Sequence, residues 1–388
     1  MNEDGFIPFH RPWIGQEEID EVVAVLKSGW LTTGPRTRQF EEEFARYVGA
    51  PHALAVNSCT AGLHLALAAL GVGPGDEVIT SPMTFCSTVH VITHTGATPV
   101  LADIGEDGNI DPQSVEERIT PRTRVLLPVH LAGLPCRMEQ IWALAERHGL
   151  HVVEDAAHAV GARYQLRMLG SDPRSAAVAF SFYATKNITT AEGGMVTSHN
   201  AALAERMRVL CLHGISKDAW NRYTDKGSWY YEVLEPGFKY NLSDLHAAVG
   251  LHQLRKLEGF LAERRKIVNY YNARFRDDDA LEIPPDGAEP GHAWHLYVLR
   301  LRLERLRISR ARFIEELKAR GIGASVHFIP VPLHPAFRQL AAEPRNACPR
   351  ALALYERIVS LPLYPGLGER RAERVADAVL EVAAMGRG

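Results

Sequence analysis

The stretch HVVEDAAHA (residues 151–159) begins with an apolar run and continues, behind an acidic pair, into small residues. A helical pattern from Met138 to His148 precedes it and ends at Gly149, and an earlier apolar run, VLLPVH (125–130), precedes that helix. Short apolar runs that alternate with helices of about ten residues are typical of crossover units and of a parallel sheet buried on both faces. The stretch therefore predicts an α/β fold with a mainly parallel sheet.

The same alternation extends outward from this stretch. Apolar runs predict the strands ALAV (53–56), EVIT (77–80), TPVLAD (98–103), VLLPVH (125–130), HVVED (151–155) and VAFSF (178–182). Helical patterns predict helices from Ala61 to Leu70, from Ser87, through Glu116 and Glu117, and from Met138 to His148. In such folds ligands bind beyond the carboxyl ends of the strands, so the residues that follow each strand are the candidates for a functional site.

The pattern changes after Met195. We expect a helix near residues 201–212, two helical stretches between Ser243 and Phe275, a strand at 294–303, a helix from Ser309, a strand ASVHF (324–328) and a last helix from about Glu369. The segment 276–292 is rich in proline and acidic residues and indicates a linker or loop. Strand, helix and strand predict a smaller C-terminal α+β domain. We therefore divide the chain into residues 1–250, a large domain with the N-terminal segment, and residues 251–388.

The composition is that of an ordinary globular protein. Of 388 residues, 46% are hydrophobic and 23% charged, with 43 Lys and Arg against 46 Asp and Glu. These values exclude collagen-like, coiled-coil and disordered classes and argue against nucleic acid or a membrane as partner. Five scattered cysteines without a CxxC pair indicate neither a disulfide framework nor a zinc site. Because we find no signal peptide and no apolar run of membrane-spanning length, we expect a cytoplasmic protein.

Lys186 stands in SFYATKNITTAEGGMV (181–196), just after a predicted strand. A lysine in such a place is most often a solvated surface group. Here, however, Gly193 and Gly194 follow, which permit close approach of the backbone. Hydroxyl and amide side chains surround it in the sequence, namely Ser181, Tyr183, Thr185, Asn187, Thr189 and Thr190. A lysine held among such groups can have a lowered pKa, which favours formation of a Schiff base.

Asp155 ends the predicted strand HVVED. Aspartate is a favoured N-cap residue, so one interpretation is a helix cap. The other interpretation is a carboxylate that acts on a cofactor at the edge of the sheet. A pyridoxal phosphate enzyme needs a lysine that binds the cofactor covalently, a carboxylate for its ring nitrogen, a phosphate site and a residue that stacks on its ring.

Two further signals follow earlier strands. In NSCTAGLHLALAAL (57–70), amides near Cys59 and Thr60 open an apolar helix, and a helix N-terminus is a site for phosphate. An ordinary capped helix would look the same. In MTFCST (83–88), Phe85 could stack on a ring or belong to the core. These signals fall at the ends of neighbouring strands, which is the pattern that a cofactor lying across the sheet would require.

Together these motifs resemble the DegT/DnrJ/EryC1/StrS aminotransferase family over nearly the whole chain. The matching stretches, in the family's order, are SGWLTTGP (28–35), NSCTAGLHLAL (57–67), GDEVITSPMTF (75–85), EDAAHAVGA (154–162), SFYATKNITTAEGG (181–194) and GFKYNLSDLHAAVG (237–250). The resemblance implies the fold of type I pyridoxal phosphate enzymes. In that fold a large cofactor-binding domain holds a mainly parallel seven-stranded sheet, and a smaller α+β domain follows.

The resemblance also implies cofactor-binding roles for individual residues. Lys186 would bind pyridoxal phosphate covalently and move the proton, and Asp155 would hold the ring nitrogen. Phe85 would stack on the ring, and His158 would lie beside the ring and its phenolic oxygen. The phosphate would be held near Cys59, Thr60 and Ser181.

Substrate contacts are expected from Thr33, in SGWLTTGP, and from His327. A histidine within ASVHF is more often a structural group, so both interpretations of His327 stay open. The aromatic stretch 217–232 is expected to contribute to the pocket wall. Three other histidines, His151, His292 and His295, are interpreted as structural, and no spacing of histidines and acids suggests a metal site.

A shared active site is implied by the segment GFKYNLSD (237–244). In many family members a motif of the form GyNyR supplies an asparagine to the phosphate site of the neighbouring subunit. Here Lys239 stands at the position of that asparagine, and Asn241 replaces the arginine. Both are therefore candidate cofactor-binding residues, and a homodimer with shared active sites is expected.

The function implied is transfer of an amino group from an amino acid, expected to be L-glutamate, to a nucleotide-linked keto sugar. Segments 119–133 and 292–301 resemble the branch of the family that forms UDP-4-amino-4-deoxy-L-arabinose, whereas HFIPVPLHPAF (327–337) resembles the general sugar-aminotransferase pattern. The expected acceptor is therefore a UDP-4-keto-pentose or a 4-keto-6-deoxyhexose. One alternative is a family dehydratase, which has histidine in place of Lys186. Another is a sensor that binds the cofactor without turnover, although the sequence indicates no helix-turn-helix pattern.

Overall fold

The computed structural model describes residues 5–216, 230–286, 291–343 and 346–387. Within these ranges the strands are β1 (His52–Val56), β2 (Glu77–Thr80), β3 (Thr98–Leu101), β4 (Thr123–Leu127), β5 (His151–Asp155), β6 (Arg163–Tyr164), β7 (Arg167–Met168), β8 (Ala177–Ser181), β9 (Gly194–Ser198), β10 (Leu281–Glu282), β11 (Tyr297–Leu301) and β12 (Ile358–Leu361). The α-helices are α1 (Gln16–Ser28), α2 (Pro35–Val48), α3 (Cys59–Ala69), α4 (Ser87–His94), α5 (Pro112–Glu116), α6 (Met138–His148), α7 (Ala201–Cys211), α8 (Asp244–Phe275), α9 (Arg310–Ala319), α10 (Arg338–Ala342), α11 (Pro349–Tyr355) and α12 (Glu369–Arg387).

A seven-stranded sheet of order β1–β9–β8–β5–β4–β2–β3 forms the centre of the molecule. β9 is antiparallel to both of its neighbours, and the other neighbouring strands are parallel. The expected α/β fold with a mainly parallel seven-stranded sheet is confirmed. The sequence pattern does not predict β9, because this strand begins with a glycine, a residue depleted in strands.

Helices cover both faces of this sheet, as its buried strands require. α3 lies on one face, where Leu63 and Leu65 are almost completely buried. On the other face α2 places Phe44 against Phe180 of β8, with ring centroids 5.1 Å apart. With both faces covered, the loops at the carboxyl edge of the sheet remain accessible for function.

α8 is one continuous helix of 32 residues, so the expectation of two helical stretches is wrong. Packing holds it together across Gly250, where an added Cβ would lie 2.7 Å from the Phe40 ring and would separate α8 from α2. Its first half packs Leu254 into the core of the large sheet, and its second half packs Tyr271 into a second core. The boundary expected after residue 250 falls inside this helix, and the division into two domains stays a prediction.

The second core surrounds an antiparallel sheet of order β10–β11–β12, which α9, α12 and the end of α8 cover. We call these elements, with the loops between them, the C-terminal unit, and they form the expected smaller α+β region. β12 pairs with β11, although the sequence analysis does not predict it. Among the helices of the described ranges, none combines the length and the apolar character needed to span a bilayer.

Two expected strands of the C-terminal unit differ in the structure. ASVHF (324–328) is not a strand, since only Ser325 forms a β-bridge, with Ser360, and the residues that follow turn toward the large sheet. The expected strand 294–303 is reduced to β11. Its start fails because Trp294 has φ 45°, in the left-handed region, which interrupts an extended backbone.

Candidate active site

A cavity of about 530 Å³ opens at the carboxyl edge of the large sheet. The loops that follow β1, β2, β4, β5 and β8 form most of its wall, as the α/β topology predicts. The N-terminal segment and the C-terminal unit complete it. The predicted site residues that line this cavity are Cys59, Thr60, Phe85, Asp155, His158, Ser181, Lys186 and His327.

Lys186 lies in the loop after β8, in a turn where its N–H donates to the Tyr183 carbonyl oxygen at 2.9 Å. Its side chain is partly accessible from the cavity and is otherwise surrounded by protein. Burial lowers the pKa of Lys186 to about 8, although the nearby charges of Cys59 and Asp155 act in the opposite direction. A substantial fraction of this amine is therefore neutral, and nucleophilic, near neutral pH.

Asp155 ends β5, and the residue is 4% exposed. Oδ2 accepts a hydrogen bond from the Thr88 hydroxyl at 2.8 Å, and Oδ1 accepts one from the Ala157 N–H at 3.1 Å. Thr84 supports the Thr88 hydroxyl at 2.6 Å. Burial raises the pKa of Asp155 in spite of these donors, so the site favours a positively charged group opposite this carboxylate. Residues 156–162 form turns, so the helix-cap interpretation does not apply.

The N-terminus of α3 meets the start of β9 beside the cavity. Ser58 is the N-cap, and its hydroxyl accepts from the Ala61 N–H at 3.1 Å. An added Cβ at Gly194 would lie 2.7 Å from the Cys59 nitrogen, so glycine is needed for this close approach. The amides of Cys59 and Thr60 are at the positive end of the helix dipole, where an anion is stabilised. Burial raises the pKa of the Cys59 thiol well above its ordinary value. The group of Cys59 that can bind an anion is therefore its backbone amide.

His158 and Phe85 lie on an aromatic side of the cavity. The Ala132 N–H donates to His158 Nδ1 at 3.3 Å, so the proton of this imidazole is on Nε2. Burial, with the charge of Lys186, holds the pKa of His158 well below its ordinary value. Phe85 is 60% exposed, and its ring lies 6.1 Å from that of Phe328. Phe85 therefore does not belong to the hydrophobic core, and its exposed ring is available for stacking on a ligand in the cavity.

His327 and His295 enter the same cavity from the C-terminal unit. The His327 ring stacks on Phe9 at 5.2 Å, and its Nδ1 lies 2.9 Å from the Ser360 hydroxyl. Burial, with Lys186, lowers the pKa of His327 to about 4. His295, interpreted from the sequence as structural, lies in the cavity wall with its ring 4.4 Å from that of His158. Nothing in the local sequence distinguishes His295 from His292, because tertiary contacts place it.

Three predicted residues lie outside this cavity in the single chain. The Asn241 amide donates to the Thr33 hydroxyl at 2.7 Å, and both line a separate cavity of about 780 Å³. The Lys239 side chain is exposed, and its backbone oxygen accepts from the Asn57 amide at 3.2 Å. The aromatic stretch 217–232 lies largely outside the described residues, since only 230–232 belong to them.

The cavity residues fit pyridoxal phosphate. The cavity contains all four parts that the cofactor requires. They are a lysine with a lowered pKa, a buried carboxylate suited to a cationic partner, an exposed phenyl ring, and a helix N-terminus that Gly194 allows to lie close to β9. Lys186 would hold the aldehyde carbon, Asp155 the ring nitrogen, and the start of α3 the phosphate.

Comparison with known proteins agrees with this chemistry. The chain is 52% identical over 379 residues to the spore coat polysaccharide biosynthesis protein SpsC of Bacillus subtilis, covering 97% of each protein. It is similar to the solved structure of Spr1654 from Streptococcus pneumoniae, named as a candidate sugar aminotransferase, in its pyridoxamine phosphate form. That similarity has 35% identity and a TM-score of 0.90, covering 98% of this chain and 99% of that chain.

A pyridoxal phosphate form of Spr1654 is similar at 34% identity. The structure of DesI in the presence of its TDP-sugar product is also similar, with 31% identity and a TM-score of 0.88, covering 99% of this chain and 94% of that chain. The model of the DegT/DnrJ/EryC1/StrS aminotransferase family matches residues 12–380. The chain belongs to this family and is a pyridoxal phosphate-dependent sugar aminotransferase.

Proposed function

We propose that this enzyme transfers an amino group from L-glutamate to the keto group of a nucleotide-linked sugar, either a UDP-4-keto-pentose or a 4-keto-6-deoxyhexose. The observation that carries the proposal is the presence of Lys186, with its lowered pKa, and the buried Asp155 in one cavity. The TDP-sugar product in the name of the DesI structure supports a nucleotide-linked substrate. The name of SpsC supports a polysaccharide as the destination of the sugar.

Lys186 has two tasks in this proposal. Pyridoxal phosphate, when bound, supplies an electron sink that stabilises negative charge at the substrate carbon next to the transferred nitrogen. Lys186 holds the cofactor through Nζ until the amino acid takes its place. Its freed, neutral amine would then remove the proton from that carbon and deliver it to the aldehyde carbon of the cofactor, so that the nitrogen stays with the cofactor, and its pKa of about 8 suits both directions near neutral pH.

Asp155 keeps the ring nitrogen of the cofactor protonated. The hydroxyl of Thr88 and the N–H of Ala157 fix the two oxygens of its carboxylate, so the negative charge is oriented before the reaction begins. The amides of Cys59 and Thr60 and the hydroxyl of Ser181 hold the phosphate. These groups face the cavity from the ends of three strands, β1, β5 and β8.

The substrate side of the cavity is aromatic and uncharged. Phe9, His327 and Phe328 form this side, and their flat rings suit the faces of a sugar ring. Because His327 Nδ1 is engaged with the Ser360 hydroxyl, its Nε2 remains for a hydroxyl group of the sugar. The pKa of His327 is lowered to about 4, so the ring is neutral, and Nε2 accepts a hydrogen bond in the tautomer in which Nδ1–H donates to the Ser360 hydroxyl.

We propose further that the active enzyme is a homodimer with shared sites. Lys239 is exposed, and the Asn241–Thr33 pair lies outside the cavity that contains Lys186 in the same chain. A partner subunit that placed these three residues at its neighbour's cavity would add a cation for the phosphate and polar groups for the substrate. A cytoplasmic location, expected from the sequence, is part of the same proposal.

Two measurements test the function. Stopped-flow addition of L-glutamate converts a catalyst to its pyridoxamine phosphate form, whereas a sensor that only binds the cofactor does not change. UDP-, dTDP- and GDP-linked keto sugars are then offered to the pyridoxamine phosphate form, and return of the pyridoxal phosphate spectrum identifies the acceptor. A family dehydratase would release a deoxygenated sugar in place of an amino sugar, and the presence of Lys186 weighs against that alternative. Failure of every amino donor would contradict the proposal.

A further inference from the structure

The short segment Ala293–Leu296 contains a concentration of unusual features. Among the described residues, eight buried side-chain polar atoms have no hydrogen-bond partner, and five of them belong to this segment or to residues that bind it. The five are Asn187 Oδ1, Arg264 Nε, Arg264 Nη2, Trp294 Nε1 and His295 Nδ1. Buried polar groups are normally paired, and exceptions in one place point to a structural or functional requirement there.

The backbone of this segment is also irregular. Trp294 has φ 45°, which is a costly conformation for a bulky residue and is kept only where the surroundings enforce it. Arg264, completely buried, donates through Nη1 to the carbonyl oxygens of Trp294 at 3.3 Å and His295 at 3.1 Å. The amide of Asn187, next to Lys186, donates to the Ala293 carbonyl oxygen at 2.9 Å. The segment is thus fixed from the C-terminal unit and from the Lys186 loop.

A second turn fixes the segment from the opposite side. The Ala293 N–H donates to the Gly133 carbonyl oxygen at 2.9 Å. Gly133 has φ 95°, and an added Cβ would lie 2.8 Å from the His158 carbonyl oxygen and 3.2 Å from the His295 nitrogen. Only glycine allows the two histidine backbones to lie so close to this turn. The neighbouring Ala132, also at positive φ, provides the N–H that binds His158 Nδ1.

The result of these restraints is a fixed contact between two imidazole rings. His295 lies 4.4 Å from one side of His158, and Phe328 stacks on His158 at 5.4 Å. Burial holds the pKa of His295, like that of His158, well below its ordinary value, and the charges of Lys186 and Arg264 add to this effect. Two neutral rings can pack closely without repulsion, whereas two imidazolium ions could not.

We propose that His295 is a positioning residue that holds His158 in a single orientation, with Nδ1 on the Ala132 N–H and Nε2–H directed to the cofactor. This inference rests on the proposed function of the cavity as the pyridoxal phosphate site. His295 acts through ring packing and requires no hydrogen bond of its own, in agreement with its unpartnered Nδ1. The irregular Trp294 is the feature that turns the chain so that His295 reaches this position.

The first test uses the protein without cofactor, so that it does not depend on the reaction. Long-range ¹H–¹⁵N NMR of histidine-labelled protein reports the tautomer of His158, whose signals are assigned by loss in His158→Gln. We expect one Nε2–H tautomer in the wild type and in His295→Phe, which keeps a flat ring. In His295→Asn, which removes the ring and keeps a polar group, a mixture of tautomers is expected. A single unchanged tautomer in His295→Asn would overturn the proposal.

The second test uses the enzyme loaded with pyridoxal phosphate. Loss of an ordered hydrogen bond to the phenolic oxygen raises the pH midpoint of the visible absorbance change, by about one unit for a bond of ordinary strength. We expect this shift in His295→Asn, with a rate of the L-glutamate half-reaction lower by about tenfold, and near wild-type values in His295→Phe. An unchanged midpoint in His295→Asn, with only a lower melting temperature, would show that His295 merely fills space.

A matched control separates loss of position from loss of stability. His64, on α3, is another buried imidazole, and its ring contacts Phe238 and Tyr240. His64→Asn should lower the melting temperature without altering the His158 tautomer. If the wild type fails to bind pyridoxal phosphate at Lys186, the proposed function fails, while the tautomer measurement still decides the role of His295. If His295→Asn does not fold, His295→Gln replaces it with the same expected outcomes.

Discussion

The cavity has two walls that are built in different ways. The sheet wall, formed by Asp155, Lys186 and the start of α3, follows directly from regular strands and from one helix N-terminus. The C-terminal wall, formed by His295, His327 and Phe328, is reached through the left-handed Trp294 and through ASVHF, which does not form the expected strand. Regular structure thus fixes the groups for the common chemistry, while irregular segments, held by distant residues, form the side on which we place the substrate.

The largest effect is expected in the sheet wall at Lys186. Lys186→Ala removes both the covalent attachment and the proton-transferring group, so multiple turnover should fall by more than about 10³-fold. Borohydride treatment of the wild type, followed by peptide mapping, should place the reduced cofactor on Lys186. Reduced cofactor on another lysine would show that Lys186 does not bind the cofactor, and would contradict the assignment of the sheet wall to the common chemistry.

A somewhat smaller effect is expected at Asp155. Asp155→Asn keeps the size of the side chain and removes its charge, so the L-glutamate half-reaction should slow by about 10² to 10³-fold, as for other charge-stabilising groups. The rate is measured by stopped-flow absorbance. Asp286→Asn is the matched control, since Asp286 is an exposed partner of Arg265, and it should react like the wild type. A near-normal rate in Asp155→Asn would contradict the role of its charge.

The burial of the Lys186 amine should also lower the free energy of unfolding of the protein without cofactor. Because the pKa of Lys186 is about 8 in the folded chain, against an ordinary value of 10.5, the unfolded chain binds more protons between these values, and stability rises with pH there. Lys186→Met should therefore be more stable than the wild type by about 3 kcal/mol at pH 7. The difference in free energy of unfolding between Lys186→Met and the wild type, measured with urea, should become smaller as the pH rises from 8 to 10.5. A constant difference would show that the amine is not perturbed by burial.

The smallest effect is expected at Lys239, where mixed dimers test whether a partner subunit contributes a third wall to the cavity. If Lys239 acts across an interface, a mixed dimer of Lys186→Ala and Lys239→Ala has one site with both defects and one site with neither. Equal mixing should then restore about a quarter of the wild-type activity, since half of the dimers are mixed and half of their sites are intact. Subunit exchange is verified with two affinity tags. Mixed dimers without recovered activity, or a fully active monomer, would contradict the shared site.

Local sequence was sufficient for the sheet wall because its signals are short-range. Asp155 ends an apolar run, and Lys186 follows one, so a parallel sheet must bring them to the same edge. The location of His295 could not be predicted in this way. It depends on Arg264, on Asn187 and on the Gly133 turn, which are between 31 and 162 residues away in the chain.

The same distinction explains the errors in the fold. ASVHF has the composition of a strand, yet its backbone turns toward the cavity after Ser325. The pattern between Ser243 and Phe275 predicts two helical stretches, yet α8 continues through Gly250, where the contact with Phe40 requires a glycine. In both cases a tertiary contact outweighed the local preference of the residues.

The continuous α8 has a mechanical consequence. At about 1.5 Å per residue, its 32 residues form a rod about 48 Å long that is embedded in the core of the large sheet at one end and in the C-terminal unit at the other. Rotation of one core against the other must bend or melt this rod, so the two walls of the cavity are held at a fixed spacing. Heat should therefore unfold both cores in one calorimetric transition, and a chain cut after residue 250 should lose both.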